Sequence, residues 1–211
     1  MIDYSYLYNS QNTKHTVSKG RDIYSTIVKS FVAGLLIGLA CIISCQCSYP
    51  EIIFPVGLIC IMYSKSLLYT GCIGHYSLKD YHLLLIIVGN LLGVLLPLYY
   101  TRYLNINLLY PIVDYKYNES YLQYSISSIF CGMLMCTATS LNKNKNILVI
   151  LFCVAGFIIS KLDHSIANMF YLGIDGYDLH DVLLIFIALV GNGVGAKLLY
   201  VSYNMVCKQG K

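Results

Sequence analysis

Lys161, Asp163, His164 and Asn168 crowd into eight positions beside some of the most apolar sequence in a chain only 11% charged. An unpaired charge buried there is expensive, so these side chains are paired, lining a polar space, or doing chemistry. An imidazole, with an unperturbed pKa of about 6.5, can hand over a proton or polarise a bound group by a hydrogen bond. A His–Asp pair also serves nucleophilic catalysis, but no serine or cysteine stands in a recognisable nucleophile motif beside His164, so the chain reads as no enzyme. Nine cysteines invite a metal reading. Cys41, Cys60, Cys72, Cys131, Cys136 and Cys153 fall in apolar runs, where thiols pack as small apolar groups. Cys45 and Cys47 form a lone C-x-C without a second pair at zinc spacing. Neither a metal nor another cofactor is expected.

The elements that must position these residues are membrane helices. With 57% hydrophobic residues and a mean hydropathy of +0.65, the chain lies outside the range of soluble domains. Apolar runs over Thr26–Cys47, Ile52–His75, Tyr81–Tyr103, Leu122–Leu141, Ile147–Leu172 and Val182–Val206 each match the roughly 20 residues needed to cross hydrocarbon. Unbroken runs exclude barrel strands, whose signature is alternation. Residues 1–25 form a polar segment without a signal peptide, 26–206 a six-span domain and 207–211 a tail. Lys14, Lys19, Arg21, Lys79, Lys143, Lys145, Lys208 and Lys211 fall on one side of the spans, which places both termini in the cytoplasm, with the plasma membrane as the expected site. The formal charge of +4 follows from this topology, and no basic face interleaved with stacking aromatics indicates a nucleic acid. Tyr24, Tyr49, Tyr99, Tyr100 and Tyr121 sit at span ends as an interfacial belt.

The halves repeat one another. Gly34 in "AGLLIG" pairs with Gly132 in "CGMLM", "GNLLG" at 89–93 with "GNGVG" at 191–195, and the stretch from Gly57 with the stretch from Gly156. Three spans per repeat force the halves into opposite orientations, as in transporters, where sites form at interrupted helices near the midplane. The expected fold is an all-α membrane protein: six transmembrane helices as two inverted three-helix repeats, about 26–104 and 120–206. Its second and fifth helices are interrupted at Ser64, Lys65 and Thr70 and at Ser160 to Asn168. Gly89, Gly93, Gly191 and Gly195 read as close helix contacts.

These residues carry a family resemblance. "LDHSIANMF" resembles the acidic-His-x-x-x-Asn-Met-Phe element of the formate/nitrite transporter family, and "KSFVAG", "LLYTG", "GNLLG" and "GNGVG" resemble its other elements in order, from about Lys19 to Val206. The resemblance implies a homopentamer whose protomers each conduct small monovalent anions of weak acids, such as formate, nitrite, hydrosulfide, acetate or lactate, with a proton. It makes His164 the central pore histidine, Asn168 its polar companion, and Leu58 and Phe157 the apolar constrictions. Phe54 and Tyr69 would line the pore, Thr70 would hydrogen-bond near the histidine, and Asp163 would be its acidic neighbour. Lys19 and Lys116 would be the inner and outer vestibule lysines. Leu67, Gly132 and Lys161 depart from the family pattern, and Lys65 and Lys161 either alter the pore's field or pair with Asp163.

The logic of such a pore is physical. An anion stripped of water in an apolar constriction costs on the order of 20 kcal/mol in the idealised limit, whereas the neutral acid loses far less. Vestibule lysines would concentrate anions, and His164 would donate a proton or a steadying hydrogen bond. The competing class is an aquaporin-like channel for small neutral solutes, which shares inverted halves, but its paired Asn-Pro-Ala signatures are absent.

Overall fold

The structure, a computed structural model, describes residues 19–104 and 111–209, and these residues contain helices and no strand. Expectations resting on Lys14 and Lys211, and on the side chains of Lys19, Arg21, Asp114 and Lys208, lie outside the described residues. In chain order the helices are α1 (Lys19–Cys45), α2 (Pro50–Ile53), α3 (Pro55–Ser64), α4 (Tyr69–Cys72), α5 (His82–Tyr103), α6 (Pro111–Asn118), α7 (Tyr121–Ala138), α8 (Ile147–Ile159), α9 (Ser165–Tyr171) and α10 (Leu179–Gln209).

Asp22–Cys45, His82–Tyr103 and Leu179–Cys207 are long and apolar enough to cross a membrane. Their outward faces are apolar too: Leu84, Val88, Leu92 and Leu96 form an exposed stripe on α5, and Val182, Phe186, Val190, Val194 and Leu198 form one on α10. A helix apolar all round is satisfied by lipid on one side and protein on the other. The chain is an integral membrane protein.

Helices α1 and α5 pack along a seam too tight for side chains. A Cβ added to Gly34 would stand 2.0 Å from the Asn90 carbonyl oxygen, and one added to Gly93 would stand 2.1 Å from that of Phe31. The same seam joins α7 to α10, where Gly132 meets the Asn192 oxygen at 2.2 Å and Gly195 that of Ile129 at 1.9 Å. Lipid supplies no hydrophobic drive between helices, so such close backbone contact is what holds them. Ser30 faces Gly89 while Gly38 faces Pro97, so α1 and α5 run parallel. The intervening α2, α3 and α4 therefore lie on a return path. Arg102, near the end of α5, donates to the Ile174 carbonyl just before α10 at 2.7 Å, while Lys197, deep in α10, donates to the Tyr76 carbonyl just before α5. The second seam thus runs against the first.

Both return paths contain a helix break of one design. α3 closes on Lys65 in the left-handed region at φ 58°, with the Ser66 N–H reaching back to the Ile61 carbonyl at 3.1 Å. α8 closes the same way on Lys161 at φ 52°, with Leu162 N–H on the Phe157 carbonyl at 2.8 Å. Glycine is the usual residue at such a closure. The chain then runs extended through Leu68 (φ −98°, ψ 129°) or His164 (φ −92°, ψ 113°) before α4 or α9 begins.

An asparagine from the neighbouring seam bridges each break. Asn90 Nδ2 donates to the carbonyls of Ser30 and Leu67, each at 2.8 Å, and its Oδ1 accepts from Tyr69 N–H at 2.9 Å. Asn192 Nδ2 donates to Ser128 at 2.7 Å and Asp163 at 2.8 Å, and its Oδ1 accepts from Ser165 N–H at 2.8 Å. Backbone groups freed by the breaks are thereby satisfied where no water would reach them. These bonds equate Lys65 with Lys161, Leu67 with Asp163 and Leu68 with His164. That register differs by three residues from the pairing of Gly57 with Gly156, and it sets Phe157 against Ile61 rather than Leu58.

Candidate functional site

A cavity of about 180 Å³ opens beside the second break, lined by Ser44, Pro50, Phe54, Tyr115, Lys116, Phe157, Ile158, Lys161, Leu162, His164, Ala167, Asn168 and Tyr171. Its inner wall holds His164, only 1% exposed. Two hydrogen bonds fix the ring. As the N-cap of α9 it turns Nδ1 toward the Ala167 N–H, which donates at 3.1 Å, and Nε2 lies 2.9 Å from Thr70 Oγ1 on α4. Because Nδ1 is an acceptor, the proton of the neutral ring resides on Nε2 and is directed to Thr70. Phe157 stacks on the imidazole at 5.6 Å and 15°, and Phe54 meets Phe157 edge-on at 5.7 Å. One phenyl ring thus stacks on the imidazole that lines this cavity, and a second packs on the first.

Behind His164 lies a buried polar knot. Asp163 is fully buried and Lys116 is 5% exposed, with Lys116 Nζ 2.5 Å from Asp163 Oδ1. Ser127 Oγ donates to Oδ2 at 2.6 Å, and Asn168 Nδ2 donates to Oδ1 at 3.0 Å and to the Tyr124 hydroxyl at 2.6 Å. A buried ion pair holds when hydrogen bonds satisfy its remaining lone pairs, as they do here. The short α6 supplies Lys116 and lays Tyr115 along the cavity mouth, where Lys161 Nζ stands 4.4 Å from the Tyr115 ring centroid. The Tyr115 hydroxyl bonds Glu119, and burial is the largest influence on Glu119, raising its pKa above the usual carboxylate value.

The structure gathers most of the residues singled out in the sequence. His164, Asn168, Phe54, Phe157, Lys116 and Lys161 line the cavity, and Thr70 and Asp163 bond to lining residues. Leu58 is buried at 1% exposure and Tyr69 at 6%, the latter with its hydroxyl on the Leu189 carbonyl at 2.9 Å; neither lines the cavity. Asp163 pairs with Lys116, not with Lys65 or Lys161, and the Lys161 ammonium turns to Tyr115. Exposed Lys65 lies near Lys145, whose pKa is lowered by burial and then by Lys65. Beside the first break lies a small pocket of about 10 Å³ among Ile61, Met62, Ser66, Leu68, Gly71, Cys72 and Thr139. Among the described residues no cluster of three or more His, Cys, Asp or Glu side chains could hold a metal.

Asn90, Asn192, Tyr124 and Ser127 were not singled out in the sequence. An asparagine on an apolar helix is a signal in itself, because its amide must find partners, but which backbone it bridges is set by tertiary packing.

A family model described as formate/nitrite transporter matches residues 7–206. No curated protein matches the chain by sequence. Among solved structures, a pentameric formate channel with formate bound is similar at 17% identity and a TM-score of 0.76, covering 91% of this chain and 100% of that one. An FNT family ion channel is similar at 20% identity and a TM-score of 0.71, covering 87% and 88% respectively.

Proposed function

The chain belongs to the formate/nitrite transporter family, and on that premise we propose that it conducts small monovalent anions of weak acids across the plasma membrane, coupled to proton movement. The observation that carries this reading is the cavity at the second break, lined by an imidazole on which Phe157 stacks, with Phe54 edge-on to Phe157. An anion entering it loses water before it meets a polar partner, so a proton or strong hydrogen bond there lowers the barrier most. His164, with Thr70 behind it, supplies that group. Leu58 and Phe157 act as apolar constrictions, Phe54 and Tyr69 flank the path, and Asn168 helps the knot behind the ring.

In this reading the molecule is a homopentamer with one pore per protomer, both termini in the cytoplasm, and Lys19 drawing anions at the inner mouth. Its six spans form two inverted three-helix repeats, the second and fifth interrupted at Lys65 and Lys161. The parallel seams, running oppositely to each other, and the matching breaks support this plan.

The test is flux in proteoliposomes holding the full chain. Formate, nitrite, hydrosulfide, acetate and lactate are imposed as gradients and internal pH is recorded. The proposal expects at least one anion to move with a proton and His164→Phe to abolish its movement while native mass still reports a pentamer. Flux of uncharged solutes, indifferent to anion substitution, would instead establish the neutral-solute channel.

A further inference from the structure

Two lysines line the cavity, and the structure separates their tasks. Lys116 is spent as a charge: it is buried and bonded to a fully buried Asp163. Its ammonium is held against a carboxylate of opposite charge, so an arriving anion would have to displace Asp163 to pair with it. Lys161 is exposed, makes no ion pair among the described residues, and rests its ammonium on the neutral face of Tyr115 at the mouth. A tyrosine ring holds a cation in place without cancelling its charge. Of the two lysines on the lining, Lys116 is offset by Asp163, which leaves Lys161 as the net positive charge there.

The backbone adds an independent observation. Lys161 adopts φ 52° to close α8, a conformation that costs a side-chain-bearing residue about 1 kcal/mol and glycine almost nothing. Lys65 closes α3 at φ 58° in the same way, but of the two it is Lys161 whose side chain lines the cavity that holds His164.

We propose that Lys161, not Lys116, is the cation that draws the anion into the cavity, with Tyr115 as its rest. This inference rests on the anion-conducting reading above and assigns its capture step. An arriving anion exchanges the ring face for its own charge against the ammonium and then passes toward His164, while Lys116 stays with Asp163 as a positioning pair.

The test compares the full chain with Lys161→Gly and Lys161→Arg in proteoliposomes. The initial rate of formate entry is measured against formate concentration at low and high ionic strength, with thermal unfolding in detergent alongside. Lys161→Gly should raise the half-saturation concentration about threefold or more at low salt and flatten its dependence on salt. Its melting temperature should hold or rise, because glycine relieves the closure, and Lys161→Arg should restore the salt dependence. A Lys161→Gly protein that melts as the parent does and keeps the parent's salt-dependent half-saturation would overturn the inference while leaving the channel reading intact. A parent chain that moves no weak-acid anion would overturn both.

Discussion

At the first break the chain closes α3 on Lys65, runs extended through Leu67 and Leu68 and restarts at Tyr69; at the second it closes α8 on Lys161, runs through Asp163 and His164 and restarts at Ser165. Backbone torsions, the asparagine bridge and the glycine seam behind it agree between the two. Their contents differ. Where the first break places two leucines beside a pocket of about 10 Å³, the second places a carboxylate and an imidazole beside one of about 180 Å³. Breaking a helix in lipid is therefore a separate problem from making a polar site there. Amide bridges solve the first twice, whereas the second draws on an extra element, α6, which brings a counter-charge for Asp163.

The largest expected effect comes from making the second break like the first. Asp163→Leu would leave Lys116 buried without its partner and should cost about 3–5 kcal/mol, read as a lower unfolding midpoint in detergent. Adding Lys116→Met should recover most of that loss, and failure to recover would mean that the carboxylate is needed for more than pairing. Next, Asn90→Ala and Asn192→Ala each remove three hydrogen bonds at about 1 kcal/mol apiece. Both should destabilise by about 3 kcal/mol, and an effect confined to one would break the equivalence of the two frames. Gly34→Ala and Gly132→Ala should follow, each at about 2 kcal/mol from overpacking against a carbonyl. Thermal melts of the pair would sharpen how alike the seams are. Smallest is Lys65→Gly, which should stabilise by about 1 kcal/mol by relieving the left-handed closure. An unfolding midpoint below the parent's would show that the Lys65 side chain packs rather than merely tolerates its place.

Much of this was legible from residue order because the membrane restricts the choices. Apolar length marks α1, α5 and α10, and the glycines of "GNLLG" and "GNGVG" mark the seams, since small residues are what close helix contact demands. His164, Phe157, Phe54 and Asn168 share a wall of the cavity, and the family resemblance had grouped them. Less legible was the register between breaks. Gly57 and Gly156 look alike in sequence, whereas the matching backbone closures fall at Lys65 and Lys161, whose left-handed backbone no propensity for lysine would suggest. The pairing of Asp163 also escaped, because Lys116 comes from a short polar helix 47 positions away while Lys161 is a near neighbour in sequence. Proximity along the chain was a poor guide where tertiary packing chose the partner.

Each bridging amide skips one residue: Asn90 grips Leu67 and Tyr69 and passes over Leu68, and Asn192 grips Asp163 and Ser165 and passes over His164. The skipped position is held on both sides by its neighbours' backbone, and its own side chain is left out of the bridge. The same frame therefore accommodates an oily residue at one break and an imidazole at the other, which leaves that one spot free to vary while the architecture stays intact.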